Sequence, residues 1–338
     1  MLKKVKHFYQ RYEVQLSYAS LALGFIIDSL TLSRIDRMFD LLWVAGHLVV
    51  VSVALILFNK FRDKDKLRFA MSLVLQFGFG GLLSACFIFF ARGATLFFNW
   101  PFMILLAVAF IGSEYFKKHY EKLAFQIAFL YFALFSFCIF FVPVVVKRIG
   151  DWIFLLSGLT SLIFISLVLF ILYKLTREQL KQSGKITIGA VSGIFLLINI
   201  LYFANLIPPL PLSLKDAGTY TNISKVDGNY ILEGKQNTFW NVHNLKPKHF
   251  AYGKDVYAYT AIFAPTDLST PIIHEWQQYD TKKKEWRTHS TITLRILGGR
   301  DEGFRTYSKS YTPAKGKWRV NIRTTGGALI GRTAFVVD

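Results

Sequence analysis

A single helix cannot pass through the stretch from Leu206 to Lys215, and this stretch separates two parts of the chain that suit different solvents. Its three prolines, Pro208, Pro209 and Pro211, lack a backbone N–H and favour extended geometry in the residue before them. Long apolar runs precede the prolines, and short alternating segments rich in Gly, Asn and Lys follow them. We therefore predict a transmembrane helical domain (1–207), a junction in which the prolines are structural (208–217) and a β domain (218–338).

Seven apolar runs before the prolines are long enough to cross a bilayer, which takes about 20 residues. The mean hydropathy of +0.37 over 338 residues agrees with a large membrane portion. The predicted spans are Glu13–Leu32, Phe39–Phe58, Phe69–Ala91, Ala94–Gly112, Leu123–Val146, Trp152–Tyr173 and Ile186–Ile207.

The basic residues in the loops predict the orientation, because Lys and Arg accumulate in short cytoplasmic loops. The N-terminus and every second loop carry sixteen of them, and the other loops carry five. The sixteen are Lys3, Lys4, Lys6, Arg11, Lys60, Arg62, Lys64, Lys66, Arg68, Lys117, Lys118, Lys122, Lys174, Arg177, Lys181 and Lys185; the five are Arg34, Arg37, Arg92, Lys147 and Arg148. The N-terminus is therefore expected in the cytoplasm, and an odd number of spans places the β domain outside it.

The loop charges also account for much of the net charge of +19 and the pI near 9.8, which in a soluble protein would suggest a nucleic-acid partner. We expect no nucleic-acid partner here. Cys86 and Cys138 are the only cysteines and both lie in apolar runs, so the β domain has no disulfide framework.

Polar and small residues within the spans are the usual signs of a transport path or of helix packing. His47, Gln76, Asn99, Gln126 and Asn199 are the deep polar residues, and their types favour helix contacts over ion coupling. The GxxxG pair Gly189 and Gly193 allows close helix approach either within the bundle, which we favour, or between protomers of a homo-oligomer.

The part after the prolines has the period of two that is typical of strands. Five segments show it most clearly: Val256–Phe263, Ile272–Tyr279, Thr291–Leu297, Lys317–Thr324 and Ala328–Val337. Turn signals separate them, and no long amphipathic helix intervenes. The pattern predicts an all-β, immunoglobulin-like antiparallel sandwich, of which residues 216–338 should fold alone.

The segment from Gly316 to Arg323 predicts which side chains face inward. Trp318, Val320 and Ile322 share one face of the strand, and Lys317, Arg319, Asn321 and Arg323 share the other. We expect the first face in the core and the second in water.

Several motifs of this part occur in the order typical of one protein family. They are Ile207–Leu214, His274-Glu-Trp276, Trp286, the segment Gly298–Arg305, Tyr307-Ser308, the segment Gly316–Val320 and the ending Gly331–Val337. In these motifs the chain resembles the bacterial DUF2914 family, and the proline-rich junction resembles its membrane-anchored members. The resemblance implies a Gram-negative inner-membrane protein with an extracytoplasmic domain. Because the family has no assigned function, the resemblance transfers no catalytic residue.

No catalytic residue, metal site or cofactor is predicted. His274-Glu275 lacks the second histidine of a zinc motif, and Glu275, Asp280, Asp301 and Glu302 are explained by turn chemistry as well as by a carboxylate pair for glycoside cleavage.

Aromatic and cationic residues give the candidate binding site for a glycan or protein partner. The proposed binding residues are Trp276, Tyr279, Trp286, Arg305 and Tyr307, with Trp318 structural. The alternative is that Trp276 and Trp318 form the core of the sandwich.

The glycine-rich segment Gly298–Arg305 is expected to turn tightly, with positive φ angles at glycine. Within it we expect Arg300 to be a buried structural brace paired with a carboxylate, and Arg305 to be exposed.

Two functions fit these features. The preferred one is a non-enzymatic inner-membrane protein of the bacterial envelope, in contact with the lipid bilayer, whose periplasmic sandwich binds an envelope protein or polymer as a sensor or assembly factor. The alternative is a transporter or membrane enzyme whose helices carry the activity.

Overall fold

A computed structural model of the chain describes residues 21–32, 34–93, 96–115, 122–226, 229–233 and 247–338. The chain divides into two compact units. The helical unit takes its described residues from 21–92, 100–142 and 153–204. The β unit consists of the described residues of 93–99, 143–152 and 205–338.

The described residues contain seven helices. They are α1 (Leu21–Thr31), α2 (Met38–Lys60), α3 (Asp65–Gly93), α4 (Leu96–Tyr115), α5 (Leu123–Val146), α6 (Asp151–Leu175) and α7 (Arg177–Phe203). Five of them, α2, α3, α5, α6 and α7, are long and apolar enough to cross a membrane, and the apolar stretches described in α1 and α4 are shorter. Five of the seven predicted spans thus correspond to helices that are long and apolar enough to cross a membrane. The start of the first predicted span at Glu13 lies outside the described residues, as do Lys3, Lys4, Lys6, Arg11, Lys117 and Lys118.

Within the helical unit, apolar side chains lie both inside and outside. Phe79, Phe89, Phe135 and Phe140 of α3 and α5 are fully buried. On α6 and α7 large apolar side chains point outward instead, among them Leu159, Ile163, Phe164, Leu167, Ile186, Leu196 and Ile200. Helices that are apolar on all sides are typical of membrane spans.

The last helix and the junction differ from the prediction. α7 begins at Arg177 rather than Ile186, because the polar residues before Ile186 are good helix formers although they do not suit lipid. It ends at Phe203, before the prolines. β1 then starts within the predicted junction, and Leu212 just before it is fully buried. Boundaries at 216 or 218 therefore cut through the first strand of the β unit.

Gly189 and Gly193 also depart from the favoured interpretation. A Cβ atom built on either glycine meets nothing within 4 Å, and both residues are exposed on α7. Their packing against another described helix of this chain was therefore a wrong expectation.

The β unit has ten described strands. They are β1 (Ser213–Tyr220), β2 (Asn222–Val226), β3 (Asn229–Glu233), β4 (Lys248–Phe250), β5 (Val256–Phe263), β6 (Ser269–Asp280), β7 (Glu285–Leu297), β8 (Phe304–Ser310), β9 (Gly316–Thr324) and β10 (Leu329–Val337). They form a three-stranded sheet in the order β1-β5-β8, a five-stranded sheet in the order β4-β10-β9-β6-β7 and a β2-β3 hairpin. One pair departs from an antiparallel arrangement: the short edge strand β4 runs parallel to β10, which a crossover between distant strands permits.

The three-stranded and five-stranded sheets pack face to face. One buried cluster combines Leu212 and Ile262 with Ile272, Ile296 and Ile322. A second combines Val256 and Ala258 with residues of the five-stranded sheet, namely Trp276, Trp318, Val320 and Phe335. The inner face of the five-stranded sheet thus forms one wall of the core, and its outer face is available for another role.

Candidate functional site

The outer face of the five-stranded sheet carries three arginines close together. β9 alternates as expected, with Trp318, Val320 and Ile322 fully buried on the inner face. Arg319 and Arg323 lie on the outer face of β9, and Arg332 lies opposite Asn321 on β10. β6 pairs with the other edge of β9 and brings Glu275 opposite Asn321. We call this surface the arginine face; it consists of Glu275, Gln277, Trp286, Thr288, Arg319, Asn321, Arg323 and Arg332.

Glu275 is the one carboxylate among these eight residues. Its oxygens accept hydrogen bonds from Arg323 Nε at 2.9 Å, Asn321 Nδ2 at 2.9 Å and Thr288 Oγ1 at 3.0 Å. Burial alone would raise the pKa of Glu275, but these hydrogen bonds hold the pKa below its usual value. The carboxylate therefore stays ionised and compensates one of the three arginine charges.

The two other guanidinium groups are held by amide oxygens. Arg319 Nε donates to Gln277 Oε1 at 2.6 Å, and Arg332 Nε donates to Asn321 Oδ1 at 2.6 Å. Asn321 is fully buried beneath these side chains, which corrects the expectation that it faces water. Because each arginine is anchored through Nε, the planes of the three guanidinium groups are fixed before any ligand arrives.

The clustering of positive charge has an electrostatic cost. Burial, followed by repulsion from Arg319 and Arg323, lowers the pKa of Arg332 to about 10. Burial likewise lowers the pKa of Arg319. An anion placed on this face would relieve the repulsion.

A β-bulge adds an aromatic side chain to the arginine face. Trp276 pairs with Ser290 but Gln277 pairs with Thr288, so His289 is an extra residue in β7. The bulge places His289 on the side of the sheet that carries Trp318, and the two ring centres lie 5.1 Å apart although His289 remains exposed. Thr288 and Trp286 consequently face outward, and the Arg319 guanidinium lies 4.2 Å from the centre of the Trp286 ring.

Tyr279 lies beside Trp286, with 5.2 Å between the ring centres. These two candidate binding residues therefore lie together at the end of the β6-β7 hairpin. Both are half-buried, so part of each ring is exposed.

The candidate binding residue Trp276 lies on the opposite side of the same sheet. Its ring is fully buried and its Nε1 donates to Ser308 Oγ at 3.0 Å. A side chain in this position has no surface for a ligand, so the interpretation of Trp276 and Trp318 as core residues fits the structure.

A histidine next to Trp276 joins the two sheets. His274 is fully buried, with Nδ1 2.8 Å from Ser308 Oγ and Nε2 3.1 Å from Thr260 Oγ1. Burial lowers the pKa of His274 to about 4, so the ring is neutral at pH 7. Because a neutral imidazole has one donor and one acceptor, the two hydroxyls satisfy both ring nitrogens.

Arg305 and Tyr307 lie in a different place, on β8 of the three-stranded sheet. Arg305 forms an ion pair with Glu302. Tyr307 is exposed and lies 6.0 Å from Tyr230 and 5.9 Å from Tyr257, measured between ring centres. The five candidate binding residues therefore occupy three separate surroundings rather than one site.

The glycine-rich segment has the expected backbone. Gly299 and Gly303 have φ angles of +94° and +87°. Gly298 has no room for a side chain, since a Cβ there would collide with the carbonyl of Pro265. Arg300, however, is exposed, with its guanidinium 5.4 Å from the centre of the Phe304 ring. The expectation of a buried brace at Arg300 is therefore wrong, and within this segment it is Arg305 that pairs with Glu302.

Reasoning from the sequence missed Glu275, Gln277, Arg323 and Arg332 as members of one site. The alternation of β9 placed Arg319 and Arg323 on one face, but the approach of Arg332 and Glu275 depends on the strand order β10-β9-β6. Among the residues that the structure describes, no group of three or more His, Cys, Asp or Glu side chains is placed to hold a metal ion.

Comparison with solved structures gives distant likenesses. An immunoglobulin-like protein from Pseudomonas aeruginosa matches with a TM-score of 0.24 and 12% identity, over 38% of this chain and 96% of that chain. A β-glucosidase from Listeria innocua in complex with isofagomine matches with a TM-score of 0.22 and 10% identity, over 36% of this chain and 16% of the β-glucosidase. The alkylpurine DNA glycosylase AlkC of Pseudomonas fluorescens matches with a TM-score of 0.25 and 9% identity, over 90% of this chain and 99% of that chain.

The chain has no match among curated proteins. A family model does match, over residues 269–337, which run from the start of β6 to the end of β10 and include every residue of the arginine face. The proline-rich junction lies outside the matched range. The resemblance inferred from the sequence is thus confirmed for this part of the chain: residues 269–337 match the model of the DUF2914 family, which is described as a protein of unknown function.

Proposed function

We propose that the chain is an inner-membrane protein that holds an immunoglobulin-like β-sandwich in the periplasm, where the arginine face binds an anionic polymer of the cell envelope. Five helices suited to a membrane, the loop charges and the face-to-face packing of two sheets support the architecture. The DUF2914 match is compatible with this proposal but assigns no ligand.

The arrangement of Arg319, Arg323 and Arg332 around a single carboxylate is the observation that carries the proposal. Planar guanidinium groups recognise carboxylate and phosphate oxygens, and flat rings such as Trp286 stack on sugar rings. A sheet face fixed by its own hydrogen bonds offers these groups without a large ordering cost on binding. A polymer that repeats its negative charge would satisfy several arginines at once.

Binding of polygalacturonate by the intact protein tests the proposal. The protein is placed in nanodiscs of zwitterionic lipid, so that the membrane itself does not attract the probe. We expect saturable binding that weakens with added salt, and no binding of the fully methyl-esterified polymer, which lacks the charges.

Two double variants locate the binding surface. Arg319→Gln with Arg332→Gln should weaken binding about tenfold, since each exposed charge pair contributes up to about 1 kcal/mol. Arg305→Gln with Lys309→Gln removes the same charge from β8 and should leave the affinity within about twofold. Equal losses in both variants, or a loss only in the second, would contradict the assignment of the arginine face.

A further inference from the structure

A cavity of about 510 Å³ lies in the helical unit, beside the end of α2 and the starts of α3, α5 and α7. Its wall includes Arg62 from the α2-α3 connection, Arg68 in the first turn of α3, Lys122 just before α5, and the first turns of α7. All of these basic residues lie in stretches between the predicted spans that the loop charges assign to the cytoplasm. The volume is within the range of about 300–1,000 Å³ that is usual for ligand pockets.

One face of α7 changes from polar to apolar along this cavity. Gln179, Gln182 and Ser183 line its basic end, and Ile186 and Ala190 follow on the same face at helical spacing. The polar side chains at the start of α7 line the cavity, and for this reason hydropathy placed the start of the last span at Ile186 rather than at Arg177.

A second, apolar cavity of about 290 Å³ continues from the first. Phe125 and Ala128 line both cavities. Farther along, the wall consists of Leu105, Val108, Phe129, Phe132, Ile194 and Leu197. The two cavities together form a groove along α5 and α7 that is basic at one end, beside α2 and α3, and apolar at the other, beside α4.

Polar groups beneath the basic end keep it in a fixed shape. Asn59 Nδ2 donates to Gln126 Oε1 at 2.6 Å, and both side chains are buried. The Arg68 guanidinium lies 5.0 Å from the centre of the Phe58 ring. Arg62 and Lys122 are exposed at the mouth, where an anionic group can reach them.

We propose that this groove binds one anionic phospholipid, with the phosphate held by Arg62, Arg68 and Lys122 and an acyl chain lying along α5 and α7. The gradient from cationic to apolar lining matches an amphiphile rather than a soluble anion. Each basic residue near an anionic head group contributes to the affinity, and the apolar wall favours the hydrocarbon chain over water.

Native mass spectrometry of the intact protein in detergent tests the proposal. The protein is offered an equimolar mixture of dioleoyl-phosphatidylglycerol and dioleoyl-phosphatidylcholine. We expect one retained lipid with at least about a tenfold preference for phosphatidylglycerol, as three basic contacts imply. Absence of a preference would overturn the proposal.

A matched pair of triple variants separates the site from general surface charge. Arg62→Gln, Arg68→Gln and Lys122→Gln together should abolish the preference. Lys174→Gln, Arg177→Gln and Lys181→Gln remove the same charge from residues on the same predicted side that do not line the groove, and should leave the preference within about twofold. If both triple variants lost the preference for phosphatidylglycerol, the preference would come from the overall surface charge and not from the groove, and the proposal would be overturned.

Two further measurements do not depend on the stability of the first variant. Ala128→Phe fills the passage between the cavities and should lower lipid retention with every charge intact; unchanged retention would contradict the acyl-chain position. Glycerol 3-phosphate in excess should fail to displace phosphatidylglycerol, and efficient displacement would assign the groove to a soluble phosphate instead.

Discussion

The two faces of the five-stranded sheet hold neighbouring polar residues in different states of charge. His274 points inward from β6, is fully buried and is neutral, with both ring nitrogens bonded to hydroxyls of the other sheet. Glu275, the next residue, points outward, stays ionised and accepts three hydrogen bonds on the arginine face. On the inner face His274 is uncharged and both of its ring nitrogens are bonded, whereas on the arginine face one ionised carboxylate lies among three arginines. The inner face is thus built for stability, and the outer face is the one that we propose for binding.

Among the predicted changes, truncation of the inner core should lower the free energy of unfolding the most. A fragment that begins at Asn205 retains Leu212 and all of β1, and we expect it to unfold cooperatively with a β-type circular dichroism spectrum. A fragment that begins at Asp216 loses Leu212, Leu214 and part of the β1-β5 ladder. The loss amounts to about 5 kcal/mol, comparable to the whole stability of a small domain. A cooperative, equally stable Asp216 fragment would show that β1 does not complete the core.

The strands themselves were largely predictable, because the period of two and the turn residues are local signals. β5 has the predicted bounds, and the breaks at Asp280–Glu285 and Gly326-Gly327 lie where the sequence indicates. The arginine face was not predictable for two physical reasons. Strand order brings Arg332 and Glu275 together from distant segments, and the bulge at His289 reverses the direction in which Trp286 would otherwise point.

The helical unit shows the same limit of local signals. Hydropathy located the five helices that are long and apolar enough to cross a membrane, to within a few residues at most of their ends. The polar first turns of α7 were missed, because hydropathy measures suitability for lipid and not for lining a cavity.

The next largest effect should be a pH dependence that belongs to His274. The unfolded histidine has a pKa near 6.5 and the folded one has a pKa of about 4, so between these values the unfolded state binds a proton that the folded state excludes. The free energy of unfolding therefore falls as the pH drops through this window, by about 2 kcal/mol between pH 6.5 and pH 5.

Urea titrations of the Asn205 fragment at pH 7 and pH 5 measure this difference. His274→Gln keeps a donor and an acceptor but does not titrate, so its stability should change less over the same range. If the free energy of unfolding changed equally with pH in the fragment and in its His274→Gln variant, His274 would not be the group responsible for the pH dependence.

A smaller effect is expected on the outer face. Glu275→Gln keeps the shape of the side chain but removes the charge that pairs with Arg323, and should lower the free energy of unfolding by about 1 kcal/mol, since both partners are partly exposed. The same change removes a negative charge from among the three arginines and should strengthen polygalacturonate binding about threefold. Weaker binding in Glu275→Gln would mean that the carboxylate itself contacts the ligand.

The smallest effect concerns the glycine-rich segment. Arg300→Ala should change the free energy of unfolding by less than about 0.5 kcal/mol, because the exposed guanidinium contacts the Phe304 ring and not a buried carboxylate. The matched variant Arg305→Ala removes the ion pair with Glu302 and should cost somewhat more, up to about 1 kcal/mol. Thermal unfolding measures the stability of both variants. A larger loss of stability in Arg300→Ala than in Arg305→Ala would show that Arg300 is a structural brace after all.

Fluorine NMR of the intact protein labelled with 5-fluorotryptophan tests most directly whether the outer face binds and the inner face does not. Trp286, Trp276 and Trp318 are assigned by replacing each in turn with Phe, and oligogalacturonate is then added to the protein in zwitterionic nanodiscs. We expect the Trp286 resonance to shift progressively to saturation while the resonances of the buried Trp276 and Trp318 stay in place. A bound ligand that leaves Trp286 unmoved, or that moves Trp276 and Trp318 as much, would contradict this expectation.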